Sequence, residues 1–382
     1  MLFPRLAAAT LLLGAGAAGA CDLERASAGC DLEALDRSLR LNDLQAVGTH
    51  NSYKQAMPPA ELAAHRARDP KGADGIDYAH PPLPAQLDEG ARTIELDVYY
   101  DPEGGHYAHP PGALRKGYAN PPWPPEQAAQ MRRPGFKVMH LADIDFRSSC
   151  QTFVACLRQI RDWSTAHPWH VPIMILINAK DGGGGPGAAT PMRFDERAFD
   201  ALDAEVRSVF APARLITPDK VQGKHHSLRE AVLAGAWPTL GATRGKVFFV
   251  LDEDAAKIAL YRGNRHSLEG RVMFVNTDEA SPAAAYLTLN DPVRELDRIR
   301  RDVAAGFLVR TRADADTAEA RRGDTSRRDA AFASGAPYIS TDYMHPDLRF
   351  GAYRVRLPGD AIARCNPVRR PECHSPQGSA SP

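Results

Sequence analysis

The 382-residue chain lacks a net charge and, beyond its first 20 residues, lacks any long apolar run. Lys and Arg together number 47, as do Asp and Glu, so no overall charge would draw the protein to nucleic acid or to an anionic membrane surface. No later stretch has the ~18 consecutive apolar residues that a transmembrane helix requires. We therefore expect a globular protein, a monomer, that binds no nucleic acid and has no transmembrane segment.

The N-terminus departs from this composition. MLFPRLAAATLLLGAGAAGA combines one arginine with an apolar run and with small residues that end in Ala18-Gly19-Ala20. This pattern is typical of a secretory signal peptide with an A-x-A cleavage site. We predict a signal peptide at 1–20 and a single domain at 21–382 in a secreted or periplasmic protein. A lipoprotein anchored at Cys21 is the alternative, although Ala18 occupies the position where bacterial lipoproteins usually carry leucine.

Cysteine is scarce, and its six residues fall into three pairs that are close in sequence. Local pairs in an exported chain favour disulfides, although six cysteines allow fifteen connectivities. No Cys and His spacing matches a structural zinc site. The simplest prediction is three local bridges: Cys21–Cys30, Cys150–Cys156 and Cys365–Cys373.

Short apolar runs rich in Val, Ile, Leu, Phe and Tyr recur along the chain, and most are too short to be helices. They lack the strict alternation of a one-sided antiparallel sheet, which favours strands covered on both faces, as in a parallel sheet. Helical periodicity lies between several of them, so the sequence predicts an α/β fold, a (β/α)₈ TIM-type barrel. The predicted strands are 44–50, 91–100, 137–144, 172–180, 246–253, 272–279, 306–314 and 338–344, and the helical patterns are 150–167, 194–210, 227–236 and 317–335.

Residues 101–135 are rich in proline and glycine, so we predict a long insert that contains neither a helix nor a central strand. A loop of this length usually forms a lid or rim of a functional site. Its aromatic side chains, Tyr107, Tyr118 and Trp123, either face a lipid surface or pack onto the barrel. The glycine-rich loop at 181–190 lacks the Lys-Ser/Thr ending of a P-loop and gives little support for nucleotide binding.

Polar side chains repeatedly follow the predicted strands, and the carboxyl ends of barrel strands converge on one mouth. Glu95 and Asp97 are two residues apart on one strand, so both point to the same side. Two carboxylates there repel each other unless a cation or a proton intervenes. Asn51 and Asn178 would add amide oxygens. Such an all-oxygen set suits Ca²⁺, or less well Mg²⁺, rather than zinc or copper.

Two histidines, His50 and His140, end the first and third predicted strands. The pKa of an ordinary histidine is near neutrality, so two of them can serve as proton donor and acceptor across a phosphodiester. Lys180 points to the same side of its strand as Asn178 and would hold a phosphate oxygen. These residues predict catalysis by a histidine pair beside a cation site.

Arginines near the end of the seventh predicted strand offer an alternative to the metal. Arg310 and Arg312 would neutralise Glu95 and Asp97 by pairing with them directly. We nevertheless predict that Arg310, with Lys180, binds the substrate.

The chain carries, in order, GTHNSY (48–53), QLDEGAR (86–92) leading into IELDV, then VMH (138–140) and PIMILINAK (172–180). This series resembles the phosphatidylinositol-specific phospholipase C superfamily of TIM-barrel phosphodiesterases, most closely its secreted, calcium-dependent bacterial branch. Segments at 228–240, 309–317, 334–343 and 363–368 resemble the same branch, so the resemblance spans about residues 42–368. It implies attack of the inositol 2-hydroxyl on phosphorus, with release of diacylglycerol and a cyclic inositol phosphate.

The resemblance also implies roles for individual residues. His50 and His140 match the two catalytic histidines of the family. Asn51, Glu95 and Asp97 match its calcium ligands. The expected substrate is a phosphoinositide, or a related phosphodiester lipid, at a membrane surface.

Two departures from the family pattern change these expectations. Asn178 stands where calcium-dependent members often carry glutamate, so we expect weaker calcium binding or a site completed by Asp181 or Asp143. The insert at 101–135 separates the second and third predicted strands, and its His109 is the substitute if His140 lies elsewhere.

Three hypotheses for function follow. The first is an exported, Ca²⁺-assisted phospholipase C acting on phosphoinositides. The second keeps the barrel but changes the substrate, to a glycerophosphodiester or to the substrates of a sphingomyelinase D-like enzyme. The third is a non-catalytic protein that binds a lipid or sugar phosphate.

Overall fold

β-strands and α-helices alternate through most of the described chain. In this computed structural model the described residues are 21–26, 30–114, 122–182 and 190–371. The predictions for the signal peptide, Tyr118 and Cys373 concern residues outside these ranges. The strands are β1 (Leu44–Thr49), β2 (Thr93–Tyr99), β3 (Lys137–Val138), β4 (Ile173–Ala179), β5 (Val247–Leu251), β6 (Met273–Val275), β7 (Tyr286–Thr288), β8 (Leu308–Arg312), β9 (Tyr338–Thr341) and β10 (Ala363–Cys365).

The strands form two sheets with the orders β10-β1-β9-β8-β7 and β3-β2-β4-β5-β6. β10 and β3 are short edge strands that pair antiparallel with β1 and β2. The other eight are mutually parallel where they pair. A single parallel bridge, Asn276 to Tyr286, links β6 to β7 across the two sheets. The parallel strands thus follow one another in chain order, which confirms the predicted TIM-type architecture.

The second junction between the sheets lies between β1 and β2. The Arg92 N–H donates to the Val47 carbonyl at 2.8 Å. β1 approaches β2 so closely that a Cβ at Gly48 would lie 2.1 Å from the Thr93 oxygen. Only glycine fits such a backbone contact. The glycine that precedes the His50 motif therefore allows the end of β1 to lie against β2.

The helices predicted at 150–167, 194–210 and 227–236 are confirmed as α6 (Phe153–Ala166), α7 (Glu196–Val209) and the shorter α9 (Leu228–Leu233). The pattern at 317–335 is two helices, because Gly323 ends the first of them with a left-handed φ of 64°. The helices are α1 (Leu32–Ser38), α2 (Pro59–Arg66), α3 (Pro70–Gly75), α4 (Leu83–Asp88), α5 (Pro125–Met131), α6 (Phe153–Ala166), α7 (Glu196–Val209), α8 (Pro218–Gln222), α9 (Leu228–Leu233), α10 (Leu240–Thr243), α11 (Ala255–Arg262), α12 (Leu296–Ala305), α13 (Ala318–Arg322) and α14 (Ser326–Ser334).

The predicted third strand at 137–144 is wrong as a barrel strand. Only Lys137–Val138 are extended, and they pair antiparallel with β2. The chain then turns back on itself, with Leu141 bridged to Asp145. The barrel strand that was not predicted is β7, which has three residues. The three-residue β10 was not predicted either.

The insert at 101–135 contains a helix, contrary to the prediction. α5 begins at Pro125, where a missing N–H and a fixed φ are compatible with the first helical turn. Tyr107 and Trp123 are buried, and the Trp123 Nε1 donates to the Ala108 carbonyl at 2.9 Å. These two aromatic side chains therefore pack onto the protein instead of facing a lipid surface.

Two of the predicted disulfides are confirmed. Cys21–Cys30 and Cys150–Cys156 have Cα–Cα separations of 5.7 Å and 5.2 Å, within the usual range for a disulfide. The first bridge occupies the Cys21 thiol that a lipid anchor would need, which disfavours the lipoprotein alternative. Among the described residues no helix is long and apolar enough to cross a membrane.

Candidate active site

A cleft of about 510 Å³ lies at the carboxyl ends of the parallel strands. Both predicted histidines line it, together with Tyr78, Arg312 and Asp342. His50 follows β1, Arg312 ends β8 and Asp342 follows β9, so these three are placed by the barrel itself. His140 reaches the same cleft from the loop after β3. The structure thus brings the two histidines together although one is not on a barrel strand.

His50 is held through both nitrogens of its ring. Nδ1 lies 2.8 Å from Asp342 Oδ1 and 3.1 Å from the Tyr78 hydroxyl, and Nε2 lies 3.6 Å from Glu95 Oε1. Burial, and then the charge of Arg312, lower the pKa of His50 well below its usual value. The ring is therefore neutral at neutral pH. A carboxylate at Nδ1 favours the tautomer that carries its proton there, which leaves Nε2 to accept a proton.

His140 is held by a carboxylate close to it in sequence. Its Nδ1 lies 3.0 Å from Asp145 Oδ2, and its carbonyl accepts from the Tyr99 hydroxyl at 3.0 Å. Burial opposes the charge of Asp145, but Lys54, 3.1 Å away, and His140 outweigh it and keep the pKa of Asp145 below its usual value. Asp145 is therefore an ionised acceptor that orients the His140 ring.

The predicted carboxylate pair lies on one face of β2. Glu95 Oε1 and Asp97 Oδ1 each accept from the Asn178 Nδ2 at 3.0 Å. Glu95 also forms a buried ion pair with Arg310. Asp97 pairs with Lys180, with Nζ 3.0 Å from Oδ2. Burial disfavours the charge of Lys180, but Asp97 outweighs it and raises the pKa of Lys180.

The pairing of Glu95 with Arg310 is the contact foreseen as the alternative to a metal. The Arg310 side chain is only 2% exposed and donates to Asn290, and it does not line the cleft. Arg312 is the arginine that lines the cleft. Lys180 is 30% exposed and accessible. The substrate-binding roles of Arg310 and Lys180 remain predictions.

Asn51 is buried in a conformation that few other residues tolerate. Its φ is 47°, in the left-handed region that asparagine visits more readily than most side chains. Its Nδ2 donates to the Tyr78 hydroxyl at 2.9 Å, and its Oδ1 accepts from the Tyr53 hydroxyl at 3.2 Å. The residue after His50 is thus fixed by two tyrosines.

The oxygen donors of the site are of the chemical type that a hard divalent cation binds. Oxygens of Glu95 and Asp97 converge on a single atom of Asn178, and rotation of that amide would present its oxygen at the same place. Carboxylate and amide oxygens are the ligands that Ca²⁺ prefers. Across the described part of the chain, no group of three or more His, Cys, Asp or Glu side chains forms a metal site, so amide donors are needed to complete one.

The residues named from the sequence as possible substitutes in the site, Asp181, Asp143 and His109, lie in other positions. Asp181 pairs with Lys257 at 2.7 Å. Asp143 lies in the turn after His140, and His109 is exposed on the insert. Because His140 lines the cleft, His109 is not needed as its substitute.

Several residues of the site were missed as partners. The sequence did not indicate that Asp342, Asp145 or Tyr78 supports a histidine. Asp342 could have been found from strand pairing, because β1 and β9 are adjacent and Thr49 is in register with Thr341. For Asp145 the only sequence signal is its position five residues after His140.

Comparison with known proteins places these features in context. A family model described as Ca²⁺-dependent phosphoinositide phospholipase C matches residues 39–367. No curated protein matches the chain.

Solved structures with a similar fold include a calcium-dependent phosphoinositol-specific phospholipase C from Pseudomonas sp., described as a myoinositol complex. It is 17% identical, with a TM-score of 0.53, and the match covers 89% of this chain and 99% of that one. A Ca²⁺-dependent phosphatidylinositol-specific phospholipase C from Streptomyces antibioticus is 19% identical, with a TM-score of 0.50 and coverage of 80% and 95%. These likenesses support the barrel fold.

Proposed function

Since this chain belongs to the Ca²⁺-dependent phosphoinositide phospholipase C family and is a phosphodiesterase, we propose that it cleaves inositol phospholipids with His50 and His140 as the proton-transfer pair. The observation that carries the proposal is the cleft itself. Two imidazoles line it, and each is oriented through Nδ1 by a buried carboxylate. Membership of a family of enzymes also sets aside the hypothesis of a non-catalytic binding protein.

The proposed reaction is an internal transfer at phosphorus. The inositol 2-hydroxyl attacks, the new P–O bond closes a cyclic phosphate, and the P–O bond to diacylglycerol breaks. His50 Nε2 takes the hydroxyl proton, because the lowered pKa of His50 keeps that nitrogen free to accept. His140 gives a proton to the leaving oxygen. Proton transfer by positioned side chains typically contributes about 10²–10⁴-fold to the rate.

Four residues would hold calcium: Asn51, Glu95, Asp97 and Asn178. When bound, the ion would lower the pKa of the attacking hydroxyl and offset the negative charge that develops on the phosphoryl oxygens. Asn178 in place of a carboxylate removes one negative charge from the site and so weakens its attraction for the ion.

Cations of the chain itself bind the phosphate in this proposal. Lys180 is accessible and held beside Asp97, and Arg312 lines the cleft while it pairs with Asp342 at 3.3 Å. Arg310 is buried and acts through Glu95. The positive charge of these side chains supports a role in binding the phosphodiester.

The protein is proposed to act outside the cytoplasm, as a monomer. Cys21–Cys30 and Cys150–Cys156 support this location, because disulfides persist in oxidising compartments. The signal peptide predicted at 1–20 remains part of the proposal.

Product analysis tests the substrate class. Purified protein with Ca²⁺ is mixed separately with phosphatidylinositol, a glycerophosphodiester and sphingomyelin, and the products are followed by phosphorus NMR. The proposal expects a cyclic inositol phosphate from the first substrate. Free choline or glycerol phosphate from the others, with no cyclic product, would move the function to the second hypothesis.

A further inference from the structure

Lys54 directly follows the GTHNSY motif and is fully buried under the cleft, with a side chain 0% exposed. A buried ammonium is costly unless it is paired and hydrogen-bonded. Its Nζ lies 3.1 Å from Asp145 Oδ2, donates to the Tyr78 carbonyl at 2.9 Å, and lies 4.8 Å from the centre of the Tyr78 ring. No step of the proposed reaction uses this charge.

The two partners of Lys54 support different histidines. Asp145 lies against Nδ1 of His140 at 3.0 Å. The Tyr78 hydroxyl lies against Nδ1 of His50 at 3.1 Å. The Lys54 ammonium therefore contacts both Asp145 and Tyr78, the residues that support the two histidines.

Backbone contacts reinforce the link on the His50 side. The His80 N–H donates to the Lys54 carbonyl at 3.0 Å, and the His80 Nε2 contacts the His50 carbonyl at 2.8 Å. The segment from Tyr78 to His80 is thus tied to Lys54 through its main chain and to His50 through its side chains.

We infer that Lys54 is a positioning residue for both histidines of the cleft, which acts on His140 through Asp145 and on His50 through Tyr78. Without its ammonium, Asp145 loses the cation beside it, and the Tyr78 segment loses a hydrogen bond and a cation–π contact. Both imidazoles then shift from their reactive geometry. The activity readout of this inference rests on the proposed function.

A matched control is the buried Lys137 of β3, which precedes the loop that carries His140. Lys137 has the same 0% exposure and pairs with the buried Asp101 at 2.9 Å. It also donates to two backbone carbonyls, those of Arg133 and Gly135. Lys137→Met therefore removes an equally buried, paired ammonium whose ion pair and hydrogen bonds involve neither histidine.

The test compares Lys54→Met with Lys137→Met in cleavage of phosphatidylinositol. Small misplacements of reacting groups cost about 10²-fold, so we expect kcat to fall by about that factor in Lys54→Met with KM nearly unchanged. In Lys137→Met both constants should stay within about twofold of wild type. Equal falls of kcat in the two variants would overturn the inference.

A double variant removes the ambiguity of misfolding. The double variant Lys54→Met/Asp145→Asn removes both charges of the ion pair. Adding Lys54→Met should therefore lower kcat less in the Asp145→Asn background than in wild type. An equal fall in both backgrounds contradicts action through Asp145.

Imidazole NMR supplies a readout that does not need activity. The ring resonances of His50 and His140 should both move in Lys54→Met and stay in place in Lys137→Met; in the double variant, His50 should still differ from Asp145→Asn alone. Unmoved resonances would overturn the inference even if the lipid cleavage is confirmed. Shifted resonances in a protein that cleaves no inositol lipid would support the inference and contradict the proposed function.

Discussion

The two histidines of the cleft are supported in the same way by very different parts of the chain. His50 follows a barrel strand, and its carboxylate, Asp342, comes from the neighbouring strand 292 residues away. His140 lies in a loop, and its carboxylate, Asp145, comes five residues later. The barrel builds one half of the site, and a local turn builds the other.

The pKa values of the two supporting carboxylates also shift in opposite directions. Burial raises the pKa of Asp342, although Arg312 opposes the shift, and burial also raises the pKa of the neighbouring Asp314 to about 7. The pKa of Asp145 is instead lowered, because Lys54 and His140 outweigh its burial. Burial of its charge is thus unfavourable for Asp342, whereas the neighbours of Asp145 favour its charged form. This difference teaches that similar histidine–carboxylate geometry can carry different costs in stability.

Replacing the histidines has the largest expected effect. His50→Gln and His140→Gln should each lower kcat by about 10²–10⁴-fold, because each removes one partner of the proton transfer. Rates are compared at saturating phosphatidylinositol, with circular dichroism to confirm folding. A wild-type rate in either variant would show that the replaced histidine takes no part in the proton transfer.

Replacing the two carboxylates sharpens the comparison. Asp342→Asn and Asp145→Asn should both lower kcat, because each takes a charged partner from a histidine. The free energy of unfolding should fall more in Asp145→Asn than in Asp342→Asn. Asp145→Asn leaves Lys54 buried without its counter-ion, which costs about 3–5 kcal/mol. Asp342→Asn leaves Arg312 without its carboxylate but also removes a charge whose burial is unfavourable, so part of the cost is offset. Urea unfolding at pH 7 measures both, and equal losses of stability would contradict the contrast.

A histidine that is buried for packing provides the smallest test. His170 precedes β4, with Nε2 2.7 Å from the Ser164 hydroxyl, and burial lowers the pKa of His170 to about 4. An unfolded histidine titrates near 6.5. Between these values the unfolded chain binds the extra proton, so stability falls as the pH falls.

The expected size of that loss between pH 7 and pH 5 is about 2 kcal/mol. Unfolding curves at the two pH values measure it, and His170→Gln should show a pH dependence smaller by that amount. An unchanged pH dependence in His170→Gln would show that acid acts on other groups.

The parts of the site that could be predicted from sequence are those fixed by strand geometry. Glu95 and Asp97 share one side of β2 because side chains alternate along a strand, and both meet Asn178 from the neighbouring strand. His50 follows directly from the end of β1. Each of these positions depends only on a strand and its immediate neighbour.

Positions that depend on irregular backbone were predicted less well. His140 was assigned to a barrel strand, but the chain turns away after Val138, and a turn stabilised by its own contacts has no apolar periodicity. The helix α5 was missed because proline at a first helical turn looks like a break in the sequence. The partners Tyr78 and Lys54 are brought to the histidines by such loops.

The central claim is that calcium, held by the acidic pair of β2, assists a phosphodiester cleavage by two histidines. Its most direct test is a calcium titration of phosphatidylinositol cleavage after chelation, for wild type and Asp97→Asn. The account predicts no release of inositol phosphate in chelator, recovery on adding Ca²⁺, and little or no recovery in Asp97→Asn. Undiminished cleavage by the wild-type protein in chelator would contradict it.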